Sequence, residues 1–438
     1  VGKRRTPVRA SAAKAGPASS ATAAVVGLGR REIVLAFALV AVVKAVTWIG
    51  GFALAGSGLV PFDAASYVSN YHHFDPDPRL RDPKAVEFFR IWNYSDAEWY
   101  LSIARSGYPT QQQATVAFDA PADGRRSTER DSYMRYAFFP LYPLIVAAFA
   151  TVMSLQPAAF VVSLLASLAA AVAAFELYVR LFPEDRRRAP LAVALLMAFP
   201  FSVFFSLYFP EGLFLLLSLL VFHGLAVRSW PLVGIAGALL AATRPNGIFI
   251  VLPVLWVLWR AAARPTASRR QGISPLAWAA LVPCGLVAFM AVNQARVQDP
   301  VYFHTVQYKW ANVTADPAGN LIRNTVGKIA GFFRLDFHSF HSSKVDVLIM
   351  MAFGLLLIAM WRDRTFPREL ALWASLLWIV PLVSKDLMSF SRYMCVSFPT
   401  FYFLARLRRQ WVSLALLASF AAAYLAALAG IVGYRWVG

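Results

Sequence analysis

Pro210-Glu-Gly-Leu-Phe-Leu-Leu-Leu-Ser-Leu-Leu-Val-Phe-His-Gly-Leu-Ala-Val-Arg228 opens on a carboxylate, runs on without a fixed charge and closes on a guanidinium. One helical crossing of the bilayer core takes about 20 residues, so a run of this length between charges reads as a single crossing. The pattern repeats. From Pro190 to Arg260 the only charged residues are Glu211, Arg228, Arg244 and Arg260, spaced 17, 16 and 16 apart. Charges therefore fall at alternating membrane faces. In lipid every backbone polar group needs an internal partner, so a chain written this way reads as an all-α polytopic membrane protein.

Composition agrees. Of 438 residues, 59% are hydrophobic and 15% charged, against roughly 25% charged in soluble domains; mean hydropathy is +0.55. The net charge of +19 does not argue for nucleic acid, because the bases sit mostly in short loops between apolar runs, the positive-inside pattern. Cys284 and Cys395 show neither disulfide nor metal spacing.

Outward from the opening stretch, residues 1–32 carry seven Lys/Arg and a single acid, Glu32, and read as a disordered basic cytoplasmic tail. Residues 33–438 form the membrane domain, with a first run at 33–56 and large extracytoplasmic loops at 57–135 and 296–344. Later runs fall at 136–154, 157–181, 190–208, 211–227, 230–243, 247–260, 275–295, 345–361, 369–384, 391–405 and 411–433. The basic loops at Arg186–Arg188, Arg260–Arg270, Arg362–Arg368 and Arg406–Arg409 mark one side. The alternation then needs one of 136–154 and 157–181 not to span. Phe139-Pro-Leu-Tyr-Pro143 would break the first turn of 136–154, so that run is expected to be partial. About eleven crossings result, N-terminus inside and C-terminus outside.

Every stretch with unusual chemistry falls on the other side. Trp92-Asn-Tyr-Ser-Asp-Ala-Glu-Trp-Tyr-Leu-Ser-Ile-Ala-Arg-Ser-Gly-Tyr-Pro109 sets Asp96 and Glu98 among Trp99, Tyr100 and other aromatics. Asp96 reads either as a general base for an acceptor hydroxyl or as the cap of a surface helix. Glu211 is costly in a membrane run and so a functional candidate, softened by its interfacial place beside Pro210. Arg244, in Thr-Arg-Pro-Asn-Gly with Asn246, and Arg392, in Ser-Phe-Ser-Arg-Tyr, suit a lipid phosphate or snorkel to headgroups; Lys385 and Lys309 are weaker candidates of that kind. His304, Gln307 and Trp310 share one helix face that suits a sugar or the membrane surface. His338-x-x-His341 has metal-like spacing but no third ligand, and His223 reads as a core histidine. There is no Gly-rich phosphate loop, no Asp-x-Asp and no Ser/His/Asp ordering, so a soluble nucleotide donor has no evident site.

Five stretches in order resemble the PIG-V-like mannosyltransferases of the GT-C superfamily. Ser95-Asp-Ala-Glu-Trp-Tyr-Leu-Ser-Ile-Ala-Arg-Ser-Gly-Tyr108 is similar to that family's Trp-Asp-x-x-Trp-Tyr-Leu-x-Ile-Ala-x-x-Gly-Tyr. Phe138-Phe-Pro-Leu-Tyr-Pro143, Pro200 to Gly212 around Glu211, Thr243-Arg-Pro-Asn-Gly247, and Arg392-Tyr with Phe398-Pro399 follow. The resemblance spans residues 90–400. It implies a GT-C-type fold and an inverting transfer of mannose from polyprenyl-phosphate mannose to an extracytoplasmic cell-envelope glycolipid, glycan or protein, without nucleotide donor, cofactor or required divalent metal. It implies Asp96 as base, Glu98, Trp99, Tyr100, Glu211, Asn246, His304 and Gln307 around the sugars, and Arg244, Arg392 and Lys385 at the lipid phosphate. Two departures, Ser95 for the family's Trp and Pro210-Glu-Gly212 for Thr-Glu-Ser, touch the presumed sugar site. The basic tail and Ala/Arg-rich usage suggest a bacterial, actinobacterial chain of the inner membrane. The alternatives are a GT-C enzyme using another polyprenyl-phosphate sugar, and a lipid or solute transporter or flippase. Against the transporter stand acids clustered at one face and the lack of a visible repeat.

Overall fold

A computed structural model describes residues 30–61, 88–89, 91–111, 132–263, 274–309, 316–333, 344–384, 387, 389–435 and 437. The basic tail up to residue 29 and most of the 57–135 loop lie outside that set. So do Trp310, His338, His341 and Lys385, and the side chain of Lys309. Among the described residues all regular structure is helical.

Among the described residues six helices are long and apolar enough to cross a membrane: Phe37–Ser57, Leu155–Leu181, Pro245–Ala262, Pro275–Val297, Lys344–Arg362 and Gln410–Val432. A seventh crossing forms if Pro183–Ala198 and Pro200–Ser206 count as one span, bent by 81° at Pro200. This is a polytopic membrane architecture. The eleven crossings suggested by the apolar runs are not all present as uninterrupted helices, and proline is the main reason. Arg368–Leu382 contains Pro381 and stops at fifteen residues. The 391–405 run is split into Phe390–Met394 and Phe398–Ala405, with Pro399 in the first turn of the second. Glu211–Val227 and Trp230–Ala241 are apolar but shorter. The 136–154 run yields only Leu141–Phe149, nine residues and about 13 Å of helix against a core of about 30 Å.

Leu155–Leu181 is the central column. Its buried face carries Ala158, Ala159, Ala166, Ala170, Ala171 and Ala174 with Ser163 and Ser167. Small residues let neighbouring backbones approach closely where no hydrophobic force drives helices together in lipid. Glu211–Val227 packs along it, with Gly212 beside Ser167 and His223 4.0 Å from Glu176. The two helices therefore run in the same direction, and the bent 183–206 segment is the return. Close approach recurs at Gly285, where a Cβ would collide with the Ala238 carbonyl.

The return segment is anchored at its far end by Lys44. Its ammonium is buried and donates to the Phe205 carbonyl at 2.9 Å and to Ser206 Oγ at 2.7 Å. A cation at the last carbonyls of a helical turn meets the negative end of the peptide dipoles. The Trp48 indole also donates to the Ser206 carbonyl, at 3.3 Å.

Three of the basic loops meet at one end of the bundle. Arg188 donates to the carbonyls of Ala405 and Leu407 at 3.2 and 3.0 Å. Arg406 pairs with Asp185 at 3.1 Å, donates to Thr365 Oγ1 at 3.3 Å and lies 4.3 Å over the Phe182 ring. Trp361 and Trp411, next to this cluster in the chain, are exposed. Leu181 at this end lies about 21 Å along its helix from Ser167, at 1.5 Å per residue.

Candidate functional site

Four of the five motif stretches converge on one chain of ion pairs. Asp96 occupies the N-cap position of Ala97–Ser106, yet its carboxylate makes no capping bond. It accepts instead from Arg392 Nη1 at 2.9 Å, across 296 residues of sequence. The surface-cap reading of Asp96 therefore does not describe this structure. Arg392 Nε lies 2.9 Å from Glu211 Oε1, a contact that is close but poorly aligned as a hydrogen bond. Arg244 Nη1 donates to the same Glu211 oxygen at 2.8 Å. The order is Asp96, Arg392, Glu211, Arg244: two acids and two bases.

Local sequence explains each position. Ser95 has φ 50°, and this left-handed turn aims the chain into Ala97–Ser106. Glu211 is the first residue of its helix, where the peptide dipole favours an anion. Arg244 precedes Pro245, and its extended backbone (φ −156°, ψ 152°) follows the steric bias before proline. Arg392 follows a turn in which Asp346 accepts from both the Ser391 amide and the Ser391 hydroxyl. Aromatic faces complete the setting: Arg244 lies 4.6 Å over Tyr393, and Arg392 5.0 Å over Phe209.

Burial grades the cluster. The Glu211 side chain is fully buried, those of Arg392 and Arg244 nearly so, and that of Asp96 is 24% exposed. Asp96 is the accessible end of the chain. Glu211 has no surface for a ligand to touch in this conformation, and it organises the two arginines instead.

Trp99 and Tyr100 join this cluster to Phe138–Pro143. Trp99 stacks on Phe138 at 5.7 Å, and Tyr100 meets Phe138 and Tyr142 edge-on at 5.1 and 5.5 Å. The Leu141 amide donates to the Ala242 carbonyl at 3.1 Å, which ties that stretch to Thr243–Gly247. Asn246 and Glu98 are buried, and the Asn246 side-chain oxygen has no hydrogen-bond partner among the described residues. His304 is exposed. Gln307 donates to the Ala137 carbonyl at 3.2 Å, which supports the backbone leading to Phe138. Among the described residues neither shares a hydrogen bond or ion pair with Asp96, Arg392, Glu211 or Arg244.

Two contributors escaped the sequence reading. Asp346 is an acid in an apolar run and carried the same signal as Glu211. Tyr434 had no signal at all. The Ser95 amide donates to its hydroxyl at 3.2 Å, and the neighbouring Tyr94 hydroxyl donates to the Arg435 carbonyl at 2.9 Å. Burial pushes the Tyr94 phenol up to about 12, so it stays protonated at neutral pH. Among the described residues no group of three or more His, Cys, Asp or Glu side chains could hold a metal ion. Comparison of the chain with protein-family models, with curated proteins and with solved structures gives no match in any of the three.

Proposed function

We propose that this chain is an inverting glycosyltransferase of GT-C type that moves mannose from polyprenyl-phosphate mannose to a cell-envelope acceptor. The observation that carries the proposal is the ion-pair chain, in which the one accessible carboxylate, Asp96, is held by a guanidinium, Arg392. Asp96 takes the acceptor hydroxyl proton as that oxygen forms its bond to the anomeric carbon. The bond from that carbon to the phosphate oxygen breaks, and the electron pair leaves with polyprenyl phosphate. Arg392 and Arg244 stabilise the departing charge. An incoming phosphate competes with Asp96 for Arg392, so donor binding frees the base that the reaction needs. Trp99, Tyr100 and Asn246 line the sugar side in this reading. The site faces outward from a bacterial inner membrane; the gathering of basic loops at the opposite end supports that orientation.

A second reading draws on one observation. Glu211 lies level with Ser167, well inside the Leu155–Leu181 span, and buried charge at depth also suits a lipid or solute carrier. Purified protein given labelled polyprenyl-phosphate mannose and membranes as acceptor source separates the two. Label in a new product supports the transferase. Transfer from a different polyprenyl-phosphate sugar retains the enzyme and changes the donor. Flux in proteoliposomes without transfer from any such donor assigns the chain to transport.

A further inference from the structure

A groove enclosing about 720 Å³ runs along the Lys344–Arg362 helix, apart from the ion-pair chain. Thr325, Ile329, Met350 and Trp378 line it, the Trp378 indole donating to the Met350 carbonyl at 2.9 Å, and Gly354 keeps it open, since a Cβ there would lie 3.2 Å from the Trp378 ring. The lining is apolar from Met350 down to the last turn. Its single charged residue is Arg362, exposed and without a carboxylate partner among the described residues. Met350 and Arg362 are twelve residues apart, about 18 Å of helix, so the groove extends through more than half of a bilayer core.

The level of the charged end is set by its neighbours. Arg362 follows exposed Trp361 and adjoins the loop that meets Arg406 through Thr365. Exposed tryptophan beside clustered arginine marks the headgroup zone of the positively charged membrane face. A lipid whose phosphate lies at that level has its chain beside the groove without further adjustment. We propose that the groove holds an acyl chain of an anionic phospholipid from the basic-side leaflet, with its phosphate on Arg362. The site is independent of the transferase reading.

The test uses the full chain purified in mild detergent and native mass spectrometry with equal amounts of phosphatidylglycerol and phosphatidylcholine of matched acyl chains. Wild type retains one phosphatidylglycerol in preference to phosphatidylcholine. Arg362→Gln lowers that retention about fivefold, the weight of one cation near a membrane surface. Leu355→Trp, at a groove residue that is 69% exposed, blocks the chain site and lowers retention of phosphatidylglycerol. Arg362→Gln alters only an exposed side chain and decides the matter if Leu355→Trp fails to fold. Equal retention of the two lipids overturns the proposal, as does phosphatidylglycerol retention unaffected by Arg362→Gln. Displacement by polyprenyl phosphate with no dependence on Arg362 also overturns it and gives the groove to that lipid.

Discussion

Arg392 donates to Asp96 at 2.9 Å while its Nε lies 2.9 Å from Glu211. One guanidinium thus bridges the accessible carboxylate and the buried one. Breaking a buried pair from one side leaves an uncompensated charge and costs about 3–5 kcal/mol, whereas removing both partners in favour of apolar groups is often close to neutral.

That asymmetry gives a first prediction for Glu211 and Arg244, which meet at 2.8 Å. Glu211→Gln and Arg244→Met should each destabilise the fold by about 3 kcal/mol or more. The double variant should fall short of the sum by about 1–3 kcal/mol. Equilibrium unfolding in detergent measures the cycle; strict additivity would contradict the pairing.

Lys44 gives a second. Its ammonium is the partner of the Phe205 carbonyl and of Ser206 Oγ, and both lie in the interior. Lys44→Met leaves those groups without it and should cost about 1–3 kcal/mol. Ser206→Ala should cost less in that variant than in wild type, because the Lys44 contact is already lost there, while the Ser206 contact with Tyr424 is lost in both. Thermal unfolding of the single and double variants tests the order.

Asp346 offers a graded pair. Asn at 346 keeps one oxygen to accept from Ser391, whereas Leu keeps none. Asp346→Asn should retain a measurable fraction of any transfer activity, and Asp346→Leu should lose both activity and about 1–3 kcal/mol of stability. Equal behaviour of the two variants would show that the contact does not hold Arg392 in place.

Tyr434 acts on Asp96 through backbone. Tyr434→Phe removes the acceptor of the Ser95 amide, a loss of about 0.5–1.5 kcal/mol. Hydrogen exchange should quicken in a peptide covering residues 92–96 and stay unchanged in the Leu155–Leu181 column. Unchanged exchange at 92–96 would show that Tyr434 does not hold the turn at Ser95.

The membrane class and most of the charged site were legible because ionisable groups in apolar runs are costly and stand out. Glu211 stands out that way, Arg244 and Arg392 as guanidinia at the expected outer face that suit a phosphate, and Asp96 by its aromatic setting. Their pairing was not legible, since Asp96 and Arg392 are 296 residues apart and no local rule links them. Asp346 gives the same signal as Glu211 but stands in no aromatic or proline-bearing stretch that singles it out. The crossing count rested on run length, and length does not register a bend such as that at Pro200. His304 and Gln307 do lie on one helix, Tyr302–Lys309. Spacing could not say that Gln307 would bond a backbone carbonyl while His304 faced outward.

The most direct test of the central claim is transfer of labelled mannose from polyprenyl-phosphate mannose by wild type, Asp96→Asn and Asp96→Glu, with folding checked by gel filtration. Loss of a general base typically costs about 10²–10⁴-fold. Asp96→Asn should lose transfer by that factor with donor binding retained, and Asp96→Glu should keep partial activity. Near-normal transfer by Asp96→Asn would contradict the claim.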